Sequence, residues 1–471
     1  MTKKVLTLII ASSLLLFSPS LTNFFFGDDW FHLRVSRIQT LSQFVNFFSF
    51  SRTPQSITSY RPIPSQVFFF FFHSLFGLNP LPYHLFALAV FGSNIFLVYH
   101  LARLIFSARK PALLSAALYG LSADHFTALY SIASFQEIAL VFFVLSTVLA
   151  YHRAGVTHSR GWLLTSLACF IMALASKETA VVTPFLLVGL DWLKGGLKAS
   201  RVLPFLIILA PYLFLRLFVF GVDRGAYQWD FSPKKTANTA FWYTLWSFGT
   251  PELLVDYVSS GLRPVAGFFR NFPLWSWWIL ASAVAGPIFL AISAVKSYFK
   301  NVRISLFAFV FFLISLLPVI FLPWHKFTLE LGLPLVGFVI LISSFYSKSR
   351  VFAAFCLLFT IVNVTTNNLM TQTHYTVNRA RLSAQVFNFF SGALATYPKG
   401  YILEFINDSQ SPNADWGSSK QIAQAVSFSD MARVIYHNSR AIICYQDYPG
   451  NCPSSLPKVY ISSKTFLNPK P

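Results

Sequence analysis

Residues 3–32 read "KKVLTLIIASSLLLFSPSLTNFFFGDDWFH": two lysines, an apolar run and a pair of adjacent carboxylates. The apolar run, residues 5–25, is long enough to cross a hydrocarbon core about 30 Å thick as a helix. A helix is the form in which such a segment satisfies its own backbone hydrogen bonds away from water. Similar runs recur along the chain, which is 55% hydrophobic and 18% aromatic over 471 residues, with a mean hydropathy of +0.58. Only 11% of its residues are charged, against roughly 25% in soluble domains, so a soluble globular fold is excluded and an integral membrane protein is expected. Lysines before an apolar core are also the layout of a secretory signal, but no small-x-small cleavage site precedes the next loop. The first helix therefore reads as a retained anchor.

The formal charge of +20 would suggest nucleic acid only if its side of the membrane were ignored. The apolar runs predict about eleven helices, at 5–25, 82–104, 111–122, 135–151, 161–175, 179–193, 202–220, 274–295, 304–322, 329–346 and 351–368. With the N-terminus inside, Lys3 and Lys4 share the cytoplasmic side with Arg103, Arg109, Lys110, Arg153, Arg160, Lys194, Lys198, Arg201, Lys296, Lys300, Arg303, Lys348 and Arg350. The acid near that side is Asp191. All five short cytoplasmic loops are then basic, the bias that orients membrane proteins. The expectation is an all-α polytopic protein of the plasma (inner) membrane, with its N-terminus cytoplasmic and its C-terminus extracytoplasmic. The lipid bilayer is its partner, and nucleic acid is not.

On this map the outer face carries what is not a short connector: loops at 26–81, 123–134, 176–178, 221–273 and 323–328, and the tail 369–471. Residues 1–368 form the expected transmembrane domain, with its large outer loops 26–81 and 221–273, and 369–471 the extracytoplasmic C-terminal domain. Within the first loop, "PSQVFFFFFHSLF" at 64–76 is too short to span easily and reads as an interfacial helix. In the tail, "KGYILEFIND", "RAIICYQDY" and "KVYISS" read as strands around a helix at 420–436, a small α/β appendage. Cys169 and Cys356 fall within apolar helices as small fillers. Cys444 and Cys452, in "CYQDYPGNC", flank a Pro-Gly turn on the oxidising side, where a disulfide is expected.

Ionisable groups at the outer ends of helices are costly unless they pair or line a wet cavity. Asp28 and Asp29 end the first helix, and Arg61 precedes the Phe-rich segment. Asp124, His125, Gln136 and Glu137 frame the second outer loop, Lys177 and Glu178 stand in "SKET", Arg216 lies near the end of a helix, and His325 and Lys326 stand in "LPWHKF". Carboxylates suit a general base, and Arg and Lys suit a phosphate whose charge grows as it leaves. Together they fit transfer from a lipid phosphate. Each group also has a plainer reading: the Asp pair as a solvated helix boundary, Lys177 and Glu178 as an exposed turn, His325 and Lys326 as interfacial anchors, and Arg216 as a snorkelling side chain. Composition and spacing leave that choice open.

Three stretches resemble a known family: "GDDW" after the first helix, the run "YRPIPSQ…GLNPLPYHL…VYHLARLIF" at 60–106, and "SKETA" at 176–180. They are similar to membrane glycosyltransferases of the GT-C fold, in the branch of protein O-mannosyltransferases, the lipid A aminoarabinose transferase and TMTC-type O-mannosyltransferases. The likeness covers the first 220 residues or so; the tail matches no family. The resemblance implies an extracytoplasmic, inverting transfer of a hexosyl or pentosyl group from a polyprenyl-phosphate sugar to an acceptor protein, glycolipid or glycan. It implies no obligatory cofactor and no metal ligands, and leaves a divalent metal open. Asp28 matches the acid that deprotonates the acceptor hydroxyl, with Asp29 its orienter. Lys177 matches a position associated with the donor phosphate, and Arg216, His325 and Lys326 join it by position. Arg61, His125, Glu137 and Glu178 are expected substrate-binding residues. A rival class, a flippase or transporter for polyprenyl-linked sugars, would place ionisable groups near mid-membrane in paired broken helices. Here they gather at one face.

Overall fold

The computed structural model describes residues 2–51, 53, 60–196, 198–221, 227–259, 261–296, 302–392, 402–407, 417–437, 442–453 and 456–467. Each of the eleven apolar runs contains a helix. Seven helical segments are long and apolar enough to cross a membrane: Thr2–Thr22, Leu81–Phe106, Ile132–Thr157, Ala199–Phe220, Trp275–Val295, Val302–Ile320 and Arg350–Ser391. The other four, Arg109–Gly120, Arg160–Leu174, Thr183–Leu193 and Pro334–Ser344, have 12, 15, 11 and 11 residues. A straight span takes about 20, so helix length alone does not carry the count to eleven. Two of these short helices are preceded by a tight helical turn, Glu178–Val182 and Thr328–Leu331, and both turns bear site residues.

Consecutive helices pack as antiparallel pairs: Leu81–Phe106 on Arg109–Gly120, Phe135–Thr157 on Arg160–Leu174, and Val302–Ile320 on Pro334–Ser344. The last pair comes close at Gly337, where a Cβ would lie 2.6 Å from the backbone nitrogen of Phe312. Small residues permit such approaches between apolar helices. Basic residues collect at the ends joined by short connectors, as at Arg103 and Arg109, Arg153 and Arg160, and Lys348 and Arg350. Lys300 lies outside the described residues. The opposite ends carry the long loops and the acids singled out above, while Asp191 stays at the basic end beside Tyr151 and Arg201.

Prolines punctuate the helices in two ways. Pro184, Pro233 and Pro334 stand in first turns, where the missing N–H has no intrahelical partner to lose. Pro204 and Pro211 lie inside Ala199–Phe214, and the chain then widens into a π-helical turn, Leu215–Phe220. A second π-helical turn, Pro62–Val67, leads into the helix Phe68–Phe76, so residues 62–76 are helical throughout. Such widened turns are frequent at functional sites, and here they adjoin Arg61 and contain Arg216.

The expected boundary after residue 368 falls inside the helix Arg350–Thr373, which is followed at once by Tyr375–Ser391. Beyond it, β1 (Ile402–Ile406), β2 (Ile443–Tyr445) and β3 (Lys458–Ser462) form a parallel sheet in the order β2-β1-β3. Residues 399–401, 408 and 440–441 of the expected strands lie outside the described residues. The single helix expected at 420–436 is two, Ser418–Ala425 and Asp430–Ile435, because Ser427 and Phe428 both turn left-handed, with φ of 54°. Cys444 and Cys452 are joined as a disulfide, Cα atoms 5.5 Å apart, across the turn Pro449–Asn451.

Candidate active site

The acid pair begins a short helix, Asp28–Val35, whose N-terminus favours negative charge. Gly27 before it has φ of 51° and ψ of −125°, a conformation that side chains resist, and this reverses the chain sharply. The two carboxylates consequently part. Asp29 is fully buried and accepts the backbone N–H groups of Phe26 at 3.0 Å and Ala133 at 2.6 Å, tying the first outer loop to the second. Burial pushes its pKa up to about 7, against the pull of those two N–H donors. Asp28 is exposed to solvent, although the surrounding protein reduces its hydration. That loss of bulk hydration raises it above the usual carboxylate range; Arg379 and Arg61 oppose the shift, and Asp430 adds to it.

Arg61 acts on Asp28 only through its charge and belongs by contact to a second cluster. Its Nε donates to Glu178 Oε2 at 2.8 Å and its Nη1 to Gln136 Oε1 at 2.8 Å. Arg216 Nη2 donates to the other oxygen of Glu178 at 3.0 Å, and its Nη1 to the carbonyl of Gly221. The two guanidiniums, one just before a π-helical turn and one within another, thus converge on one carboxylate. Burial disfavours the Glu178 anion, but the two arginines overcome it and hold its pKa down to about 2.

Lys177, expected as a cation facing a phosphate, is 2% exposed and lies between two carboxylates. Its Nζ donates to Glu137 and, at 2.5 Å, to Glu330 Oε2. Burial alone would pull its pKa down; the paired carboxylates reverse this and hold it above its ordinary value. Glu330 is in turn kept ionised, against its burial, by Lys177 and by His325, whose Nε2 lies 3.3 Å from Glu330 Oε1. The expected cationic cluster is therefore a balanced network: Lys177, Arg61 and Arg216 face Glu137, Glu178 and Glu330, three against three. An unpaired charge in so dry a place costs several kcal/mol, which is why each cation has a partner.

The remaining expected residues separate. His125 is buried among Phe17, Phe91 and Tyr119 and bonds the Tyr119 carbonyl at 2.8 Å, apart from the ion network. Lys326 leaves the network and donates to Asn238 Oδ1 at 2.9 Å. His325 packs under Tyr227, ring centroids 4.3 Å apart. Glu330 and Arg379 were not singled out by sequence reasoning. Glu330 had a signal, as an acid within the apolar stretch 327–345, where an ionisable group needs a partner. Arg379 had none, since it approaches Asp28 only through the tertiary fold. Among the described residues, no three His, Cys, Asp or Glu side chains group as metal ligands.

A family model described as dolichyl-phosphate-mannose-protein mannosyltransferase matches residues 61–219. The matched span contains Arg61, Gln136, Glu137, Lys177, Glu178 and Arg216, and so most of the ion network, while Asp28, Glu330 and Arg379 lie outside it. None of the curated proteins matches the chain.

Proposed function

We propose that the chain is an inverting membrane glycosyltransferase. It moves a hexosyl or pentosyl group from a polyprenyl-phosphate donor to an acceptor hydroxyl on the extracytoplasmic face. The observation that carries this reading is the division of the acid pair: Asp29 is consumed by backbone N–H groups, and Asp28 is left open to solvent beside two arginines. The match over residues 61–219 supports the reaction class, since that family's description names a lipid-phosphate-linked mannose and a protein acceptor. The polyprenyl chain lies in the bilayer, and the basic connectors at the opposite helix ends support an outward-facing site.

In the reaction, the acceptor oxygen forms a bond to the anomeric carbon as the bond from that carbon to the phosphate oxygen breaks. Asp28 accepts the acceptor's proton, and the polyprenyl phosphate leaves with the bonding electron pair. A base on one side of the sugar and a leaving group on the other give inversion. Arg61 and Arg216 seat the phosphate: a guanidinium has five N–H donors, more than Glu178 and its neighbours accept, and its fork matches phosphate oxygens. Lys177 takes a positioning role, holding the 135–137, 176–178 and 328–331 segments together through Glu137 and Glu330.

The test is incubation of purified protein with a panel of polyprenyl-phosphate sugars, followed by mass spectrometry. Asp28→Asn should lower turnover by about 100- to 10,000-fold, the usual contribution of a general base, with donor affinity kept. Near-normal turnover in that variant would overturn the assignment.

A further inference from the structure

The helix of Asp28 and the residues beside it are hydrogen-bonded to the C-terminal unit. Gly27 N–H donates to the carbonyl of Ala425 at 2.8 Å, Arg34 Nε to Asp430 Oδ1 at 2.5 Å, and Arg37 Nη1 to the carbonyl of Val434 at 2.7 Å. Asp430 is also a wall of a cavity of about 330 Å3, lined with Ser427, Phe428, Ser429, Arg433 and Ile443 among others. That volume stands at the lower end of small-ligand pockets, roughly 300–1,000 Å3.

We propose that this cavity binds a saccharide unit of the acceptor, so that the acceptor is a glycan and the C-terminal unit selects it. The inference rests on the glycosyltransferase reading above. Four observations point the same way. The cavity shares Asp430 with the surroundings of Asp28, whose charge environment includes that carboxylate. Its walls carry a carboxylate, a guanidinium, two hydroxyls and an aromatic ring; Asp430 already accepts from Arg34 and Ser427, and Ser429 from Ile443, so a sugar would meet the Phe428 ring with its apolar face and share the remaining oxygen lone pairs through its hydroxyls. Phe428 is 39% exposed, though its ring is held by edge contacts to Tyr445 and Tyr448, with centroids 6.0 and 5.2 Å away. Finally, Ser427 and Phe428 are successive non-glycine residues with φ of 54°, a conformation costing of order 1–3 kcal/mol each and concentrated at ligand clamps. An extended peptide is disfavoured, because the first N–H of the edge strand β2, at Ile443, is already taken by Ser429 Oγ at 3.0 Å.

The experiment uses the full chain in nanodiscs with diazirine-bearing methyl glycosides of mannose, glucose and galactose, and a diazirine-bearing Ser/Thr peptide as rival. After photolysis, labels are mapped by mass spectrometry. At least one glycoside should label 427–433, and Phe428→Asn, which suits the left-handed backbone but removes the ring, should weaken its binding about tenfold. Labelling of that segment by the peptide alone, glycoside labels confined to other segments, or unchanged binding in a folded Phe428→Asn protein would each overturn the proposal. The wild-type map decides even if the variant does not fold. Asp28→Asn protein should still bind the glycoside, so failure of this inference and failure of the catalytic reading are read separately.

Discussion

Asp28 and Asp29 are chemically identical neighbours, and their environments separate them. Asp29 satisfies two buried backbone donors, which would each cost about 1–3 kcal/mol if left unpaired. Asp28 has water on one side and the arginines Arg61 and Arg379 within electrostatic reach. A general base works deprotonated, so its activity falls as pH drops through its pKa. Because loss of hydration raises Asp28, the acid limb of kcat/KM should lie above the ordinary carboxylate value of 3.8. Arg379 pulls that limb down, so Arg379→Gln should move it to higher pH. A pH–rate profile of the two proteins checks both statements, and an unmoved limb would detach Asp28 from the rate.

Lys177 illustrates how segments far apart in sequence are locked together by one buried cation. The tight turn Glu178–Val182, the start of the helix Phe135–Thr157 and the turn Thr328–Leu331 meet at its ammonium. Lys177→Met leaves two buried carboxylates facing each other, and breaking such a pair costs about 3–5 kcal/mol. The expected result is a large loss of thermal stability, partly restored in Lys177→Met/Glu330→Gln, where the repulsion is removed. A stable Lys177→Met protein that loses only donor affinity would return the lysine to the phosphate. Helix packing offers a second test at Gly337, whose added Cβ would also meet the Ala308 carbonyl at 2.9 Å. Both obstructing atoms are backbone and cannot rotate away, so Gly337→Ala should destabilise by about 1–3 kcal/mol in thermal unfolding. Gly267→Ala, with nothing within 4 Å, is the control that should change little.

The molecule as a whole is a helical membrane unit whose acid-bearing end is completed by chain from beyond residue 368. Trp30, in the helix of Asp28, donates to Ser383 Oγ at 2.9 Å and stacks on Phe387, so the C-terminal part is not a detached appendage. Its orientation is tested by cysteine labelling with a membrane-impermeant maleimide. Tyr460→Cys, 63% exposed on β3, should label in intact cells, and Lys348→Cys, exposed at a basic connector, only after permeabilisation. The reverse pattern would invert the topology and place the site inside. Membrane character, the positions of the helices and the segregation of Lys and Arg were legible in the sequence, because hydropathy and loop charge are sums over neighbouring residues. The acid pair was expected to end the first helix; it begins a separate one, Asp28–Val35, because the turn at Gly27 reverses the chain. Which of the two acids meets solvent depends on Ala133, and what Lys177 faces depends on Glu137 and Glu330, 40 and 153 residues away. The attachment of the C-terminal unit depends on Arg34 and Asp430, 396 residues apart. Pairings over such distances belong to the tertiary structure alone, since a buried charge takes whatever partner the fold brings within reach, and local sequence carries no record of it.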